Sequence, residues 1–304
     1  MAFGGPGTLD EVEPFLRSLM EGRQVTGRQV DAVKERYRMI GGGSPLKSIT
    51  LAQARALEAA LNADGDRYRV FTGMRYTEPS IDLAVQGIVS AGIRDVTALA
   101  VSPYYNGAST GRYIQRLDEA VAGLAAAGRD LRVRTIKGYN TNPFFIEAVR
   151  QRLIQALGAP DTADAPYVIF SAHSLPVAMA EADGYPEQLE QTLKLVLKDL
   201  SLSRYAAAFQ SKGMTADTPW LGPDVKDVMD RAKKQGEKRV LIVPYGFVSD
   251  HVETLYDIDV VYKRHAATIG LGFSRAESLN ASDLFIAALK DVVVKAGSNS
   301  LSPS

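Results

Sequence analysis

The chain has 304 residues, 46% of them hydrophobic, and its 35 Lys plus Arg balance 35 Asp plus Glu. That length suits two compact units, each with its own core, and the neutral balance leaves no excess charge to draw nucleic acid or an anionic membrane. Cysteine is absent, which excludes a disulfide framework, thiolate metal ligands and an iron–sulfur cluster ligated by this chain.

In chain order, Met1-Ala2-Phe3-Gly4-Gly5-Pro6 is neither a signal nor a transit peptide, and no apolar run approaches the ~20 residues of a membrane span, so a cytoplasmic protein is expected. Thr8-Leu9-Asp10-Glu11 has a capping-box pattern and opens a predicted helix to about Met20. Val30, Val33, Tyr37 and Ile40 recur at helical spacing before Gly41-Gly42-Gly43-Ser44-Pro45 breaks the pattern. Those glycines would let backbone approach a ligand closely, but no Gly-Lys-Ser/Thr follows, so a P-loop is not supported. A helix over 51–61, a strand over 68–73, a helix over 79–91, a strand over 96–101, a helix over 111–127 and a strand over 131–136 come next. The second half repeats the alternation: a helix from Pro143, strand 167–171, helix 186–199, strand 205–210, helix 224–235 and strand 239–243. Strands alternating with helices imply parallel β-α-β units, hence two α/β domains. Asn140-Thr141-Asn142-Pro143 marks the expected boundary, giving units 1–140 and 141–280. A helix over 282–295, within a segment 281–304, is expected to return to the first unit, and 299–304 reads as a frayed tail.

The chemistry concentrates at two strand ends. In Tyr167-Val168-Ile169-Phe170-Ser171-Ala172-His173-Ser174-Leu175-Pro176, a buried strand runs into a loop that carries His173 at the carboxyl edge of a sheet. Ligands bind at that edge in open α/β sheets, and imidazole suits proton transfer. A neutral histidine hydrogen-bonding a backbone carbonyl is the plainer alternative. The second stretch, Pro244-Tyr245-Gly246-Phe247-Val248-Ser249-Asp250-His251-Val252-Glu253-Thr254-Leu255-Tyr256-Asp257, again leaves a strand for a helix. Asp250, Glu253 and Asp257 stand at i, i+3 and i+7, a spacing that puts three carboxylates on one α-helical face. An acidic first turn complementing the helix dipole would explain them more simply. His251 and Glu253 lie about 200° apart on a regular helix, so both reach one pocket only at a helix start or through a π-type distortion. A histidine on one loop and a glutamate on another form a mixed N/O set suited to a borderline divalent metal such as iron(II).

Phe170 to Pro176 together with Gly246 to Asp257 resembles the ferrochelatase family. Phe209-Gln210-Ser211 followed by Trp220-Leu221-Gly222-Pro223-Asp224, Gly42-Gly43-Ser44-Pro45-Leu46, and Gly73-Met74-Arg75-Tyr76-Thr77-Glu78-Pro79-Ser80-Ile81 resemble further family segments in the same order. The resemblance implies insertion of ferrous iron into a porphyrin, protoporphyrin IX or coproporphyrin III, during haem biosynthesis. It implies two flavodoxin-like, chelatase-type domains, each a parallel sheet flanked by helices, with the substrate in the cleft between them.

By the same resemblance His173 and Glu253 are the catalytic pair, and His173, Glu253 and Asp257 the metal contacts, with Ser171, Asp250 and His251 supporting them. Phe3, Tyr76 and Trp220 match porphyrin walls, and Arg36, Tyr37, Ser44, Arg75 and Tyr113 match contacts to the porphyrin or its propionates. Iron would be substrate, with no resident prosthetic group. An apolar lip round the cleft would allow peripheral contact with a bilayer, although no amphipathic helix with a basic face stands out. The chain departs from the family pattern in places. The apolar strand that often precedes the segment matching Met1 to Gly5 is almost absent, so either the start is internal or the first sheet lacks a central strand. Phe3 stands where some members have a coordinating tyrosine, Met20-Glu21 where tetracarboxylate-using relatives carry arginines, and Val261 where an acidic residue is common. A porphyrin carrier without catalysis and a cobalt or nickel chelatase for another tetrapyrrole are the competing expectations.

Overall fold

The computed structural model describes residues 1–126, 130–158, 165–213 and 218–298; the tail expected over 299–304 lies outside them. Along the chain, α1 (Val12–Leu19), α2 (Gly27–Met39), α3 (Leu46–Leu61) and α4 (Ile81–Ser90) precede β1 (Asp95–Leu99), a one-turn π-helix (Gly107–Gly111), α5 (Arg112–Ala126) and β2 (Arg132–Ile136). Then come α6 (Pro143–Leu157), β3 (Tyr167–His173), α7 (Val177–Ala182), α8 (Tyr185–Leu197), β4 (Tyr205–Gln210), α9 (Val225–Lys234) and β5 (Arg239–Val243). A longer π-helix (Glu253–Tyr262), α10 (Lys263–Thr268), β6 (Gly272–Arg275) and α11 (Asp283–Ser298) complete the described chain.

The second sheet is parallel, in the order β4-β3-β5-β6. Val168, Ile169 and Phe170 of β3 and Val240 to Val243 of β5 are almost fully buried. Such unbroken apolar runs are what strands covered by helices on both faces require. From β3 the chain moves outward to β4 and then returns to the other side of β3 as β5. The strand order therefore reverses between β3 and β5, and the loops leaving their carboxyl ends diverge around a crevice.

The first sheet is smaller: β1 pairs in parallel with β2 alone. Residues 1–3 run beside it, with Val101 N donating to Met1 O at 2.9 Å, and Ala2 N, on the other side, to Gly73 O at 3.1 Å. Ala2 bridges Met74 in parallel. The strand expected over 68–73 is not a ladder strand. Its pairing is confined to its last residue and those just after it, which meet Ala2, and the amide of Val70 is satisfied instead by Glu58 Oε2 at 2.6 Å.

Two local expectations also change. Helix α1 starts at Val12, without a side-chain cap from Thr8, and the Glu11 carboxylate reaches back past it to accept from Gly7 N at 2.7 Å. The reciprocal capping box belongs instead to Thr26 and Gln29 at the start of α2. The close approach at Gly43 is to protein, since a Cβ there would lie 2.0 Å from Gly7 O.

Each half has a buried cluster of its own, and a larger one spans both. Leu57 and Leu61 of α3 join Phe145 and Leu153 of α6, Phe170 of β3 and Phe285 and Leu289 of α11 in a single buried cluster. Helix α11 packs on α3 and α6 and reaches β1 and β2. Gln53 of α3 donates to Ser249 Oγ at 2.9 Å and to Asn280 O at 2.8 Å. Gln188 of α8 pairs with the backbone of Tyr105 in both directions, accepting at 2.8 Å and donating at 3.0 Å. These contacts tie the first half to the second beside the crevice.

Candidate active site

His173 is the last residue of β3, paired with Gln210 of β4, so the strand runs two residues further than its apolar pattern. Its Nδ1 hydrogen-bonds the carbonyl of Ser174, while Nε2 lies 3.2 Å from Glu253 Oε1, both side chains remaining about one-third exposed (32% and 33%). The backbone-capping role and the functional one therefore coexist in one ring. With acceptors at both nitrogens, the doubly protonated imidazolium is the form that satisfies them. Burial works against that charge, but the Glu253 carboxylate outweighs it and raises the pKa to about 9. Burial likewise opposes the Glu253 anion, and His173 reverses this, holding the carboxyl at about 2. The resting site is an ion pair open to the crevice.

Glu253 is the first residue of the longer π-helix and His251 lies just before it, so the helix start and the π-geometry occur together. His251 Nδ1 accepts from Glu253 N at 3.1 Å and Thr254 N at 3.4 Å. Burial lowers its pKa, and its ring meets Phe247 edge-on with centroids 4.9 Å apart. A neutral imidazole thus caps the helix with its lone pair.

The three-carboxylate face does not form. Asp250 precedes the helix and is held by Ser278 Oγ at 2.7 Å, Asn280 Nδ2 at 3.0 Å and Arg275 Nη1 at 3.1 Å. Asp257 sits one wide turn beyond Glu253 and accepts from Ser211 Oγ at 2.6 Å. Burial, reinforced by the Glu253 charge and opposed by that hydrogen bond, raises its pKa to about 6. Among the described residues no group of three His, Asp or Glu side chains is placed to hold a metal ion. A cation arriving here would meet a two-residue N/O pair with a carboxyl behind it.

A cavity of ≈ 450 Å³ opens over this pair. Of the residues singled out from the sequence, Phe3, Arg36, Tyr37, Ser44, Tyr113, His173, His251 and Glu253 line it. Arg36 is exposed at the rim, with its guanidinium 5.6 Å from the Tyr256 ring centroid. Arg75, Tyr76, Trp220, Ser171, Asp250 and Asp257 are not in the lining. Tyr76 stands behind Phe3, centroids 4.7 Å apart. Arg75 lies 4.9 Å from the Tyr76 ring centroid and is engaged by Glu21. Trp220 bridges Pro176, and Ser174 Oγ donates to Leu221 O at 2.8 Å, so this segment fastens the loop that brings Leu175 to the cavity. Ser171 is fully buried two residues before His173. Sequence reasoning missed Tyr185, whose hydroxyl donates to His173 O at 3.3 Å, and gave no role to Phe247, which lies 6.4 Å from the His173 ring. Phe247 lay inside the motif already quoted, whereas the Gly184-Tyr185-Pro186 turn carries no such signal.

The ferrochelatase family model matches residues 1–296. The chain belongs to the ferrochelatase family. It is 36% identical to a protein named ferrochelatase from Geobacter sp. (strain M21), over 96% of each chain. To one named coproporphyrin III ferrochelatase from Halalkalibacterium halodurans it is 34% identical, over 97% of this chain and 95% of that one. Among solved structures it is similar to SirB from Bacillus subtilis with Fe3+, at a TM-score of 0.62 and 16% identity over 84% of this chain and 92% of that one; this likeness shows the two-domain chelatase fold. The ferrochelatase is accordingly a metal chelatase of haem biosynthesis, with ferrous iron and a porphyrin as substrates.

Proposed function

We propose that His173 and Glu253 carry the metal and proton exchange of iron insertion, with the porphyrin in the ≈ 450 Å³ cavity. The observation behind this is the 3.2 Å contact between His173 Nε2 and Glu253 Oε1, formed between the end of β3 and the start of the π-helix that follows β5, and open to that cavity. The two groups divide the work by basicity. Glu253, held at about 2, stays anionic and meets the dication, while His173, at about 9, is much the stronger base. A cation on Glu253 weakens the attraction that keeps His173 protonated, so Nε2 sheds its proton to solvent through the open crevice and can then take a pyrrole proton; the second pyrrole proton leaves by the same route as the iron–nitrogen bonds form. Asp257 relays charge from behind.

Phe3, Leu175 and Phe247 are assigned to holding the macrocycle, and Arg36, Ser44, Tyr37 and Tyr113 to its edge and carboxylates. Arg75, Tyr76 and Trp220 act from behind the wall. Iron enters as substrate, and no resident prosthetic group is invoked. We assign the protein to the cytoplasm and divide it at 140–143; among the described residues no helix is long and apolar enough to cross a membrane.

The deciding experiment is anaerobic iron(II) insertion with protoporphyrin and coproporphyrin side by side, His173→Ala as control and cobalt(II) and nickel(II) in parallel. Iron turnover that the variant lacks supports the assignment, and the preferred porphyrin identifies the substrate. Folded wild-type protein that binds porphyrin without metallating it would be a carrier, and preference for cobalt or nickel would make it a chelatase for another product.

A further inference from the structure

Arg275 ends β6, well outside the cavity, yet one guanidinium reaches both flanks of the stretch that carries Glu253. Nε and Nη2 make a bidentate pair with Asp259 at 2.8 and 2.9 Å, while Nη1 reaches Asp250 Oδ1 at 3.1 Å. Asp250 is further fixed by Ser278 and by Asn280, whose Oδ1 accepts the Asp250 amide at 2.9 Å. Arg275 itself is registered against β5, opposite Ile242. The side chain is only 15% exposed, and a bidentate fork at that burial fixes geometry as well as charge.

Asp259 belongs to the π-helix and Asp250 to the turn before it, so the clamp spans Glu253 and Asp257. A π-helix of 10 residues is unusual, since π-geometry ordinarily persists for a single turn. Relaxing it to α-geometry would rotate Glu253 relative to Asp259. We propose that Arg275 is a positioning residue for metal capture: by tying Asp250 and Asp259 to the edge of the sheet it holds the wide helix in register and fixes the Glu253 carboxylate against His173. The inference rests on the role assigned above to Glu253.

The test compares Arg275→Met, Asp259→Asn, their double variant and Arg275→Lys. In Arg275→Met, KM for iron(II) should rise about tenfold or more, the scale seen when a group supporting a metal contact is lost. Porphyrin affinity, read by fluorescence quenching, should stay within about twofold, since the clamp touches no wall residue. Asp259→Asn should reproduce the effect and the double variant should add little to it, because one interaction is removed in each case. Arg275→Lys, which keeps the charge without the fork, should recover only part of it. An unchanged iron KM in folded Arg275→Met, or equal losses of iron and porphyrin binding, would overturn the proposal. Should Arg275→Met not fold, Asp259→Asn decides by the same readings. Calorimetric titration of cobalt(II) into the porphyrin-free wild type and variants reads the clamp without turnover. An inactive wild type would therefore refute the function while this titration still judged the clamp, by weaker binding or by none lost.

Discussion

The two sheets of this ferrochelatase are built on one plan to different standards. The second has four paired strands whose central members are sealed on both faces; in the first, β1 and β2 are half-exposed along most of their length and residues 1–3 stand in beside them. The His173–Glu253 ion pair is carried by the end of β3 and the helix after β5 of the sealed sheet, whereas the looser half contributes Phe3, Tyr37, Ser44 and Tyr113 to the cavity. Proton and metal exchange need atoms held to a few tenths of an ångström, which a rigid frame supplies. A wall that must accept a flat ligand and press on it tolerates more give.

The sharpest way to break this contrast is His173→Ala. Iron insertion should fall by about 10²–10⁴-fold, the usual contribution of a positioned acid or base, with circular dichroism unchanged. Replacing Phe3 by Leu in the wall should instead act mainly on the porphyrin KM. In the frame, Phe170→Ala removes a fully buried ring and should cost about 3–5 kcal/mol in urea unfolding. Val133→Ala, in half-buried β2, should cost about 1 kcal/mol or less.

A smaller effect follows from the ion pair. His173 is raised from 6.5 to about 9 on folding, so its stabilisation is complete below pH 6.5 and is lost as pH rises through about 9. Glu253 is lowered from 4.5 to about 2, so its share of the same interaction is complete above pH 4.5 and is lost as pH falls through about 2. Stability of the wild type should therefore decline between pH 6.5 and 9 more than that of His173→Ala, as thermal melts across that range would show. The smallest effect belongs to Asp257, whose ionisation burial disfavours. Asp257→Asn should melt slightly higher than wild type at pH 8, and that gain should vanish below pH 3.8, where the carboxyl is already neutral.

Much of the frame was legible. Val168-Ile169-Phe170 and Val240 to Val243 are apolar without interruption, and a strand buried on both faces has no other signature. The site's two anchors were legible through these runs, His173 standing just past the first and Glu253 lying in the stretch that leads from the second into a helix. What the pattern could not supply was pairing and pitch. Tyr68 to Gly73 has strand composition, but a strand also needs a neighbour, and composition says nothing about one. Asp250, Glu253 and Asp257 were spaced for an α-helix, and the π-geometry with the Arg275 clamp turned Asp250 away. Trp220 and Tyr76 were matched to the wall by resemblance; Tyr76 stands behind Phe3, and Trp220 bridges Pro176 outside the cavity lining, placements that aromatic character does not encode. Strand β6 was missed because Gly272-Phe273-Ser274-Arg275 is short and barely apolar, and it is recruited by pairing with β5.

Helix α11 has a bearing on synthesis. It packs on α3 and reaches β1 and β2, yet it emerges from the ribosome after every strand of both sheets. Until then Leu57, Leu61 and the faces of β1 and β2 lack their cover, as does the face of α6 that meets α11, but the first-half surfaces have been waiting longest. The half translated first thus waits longest for its cover, and a chaperone acting on this protein would find its longest-lived apolar surface near the beginning of the chain.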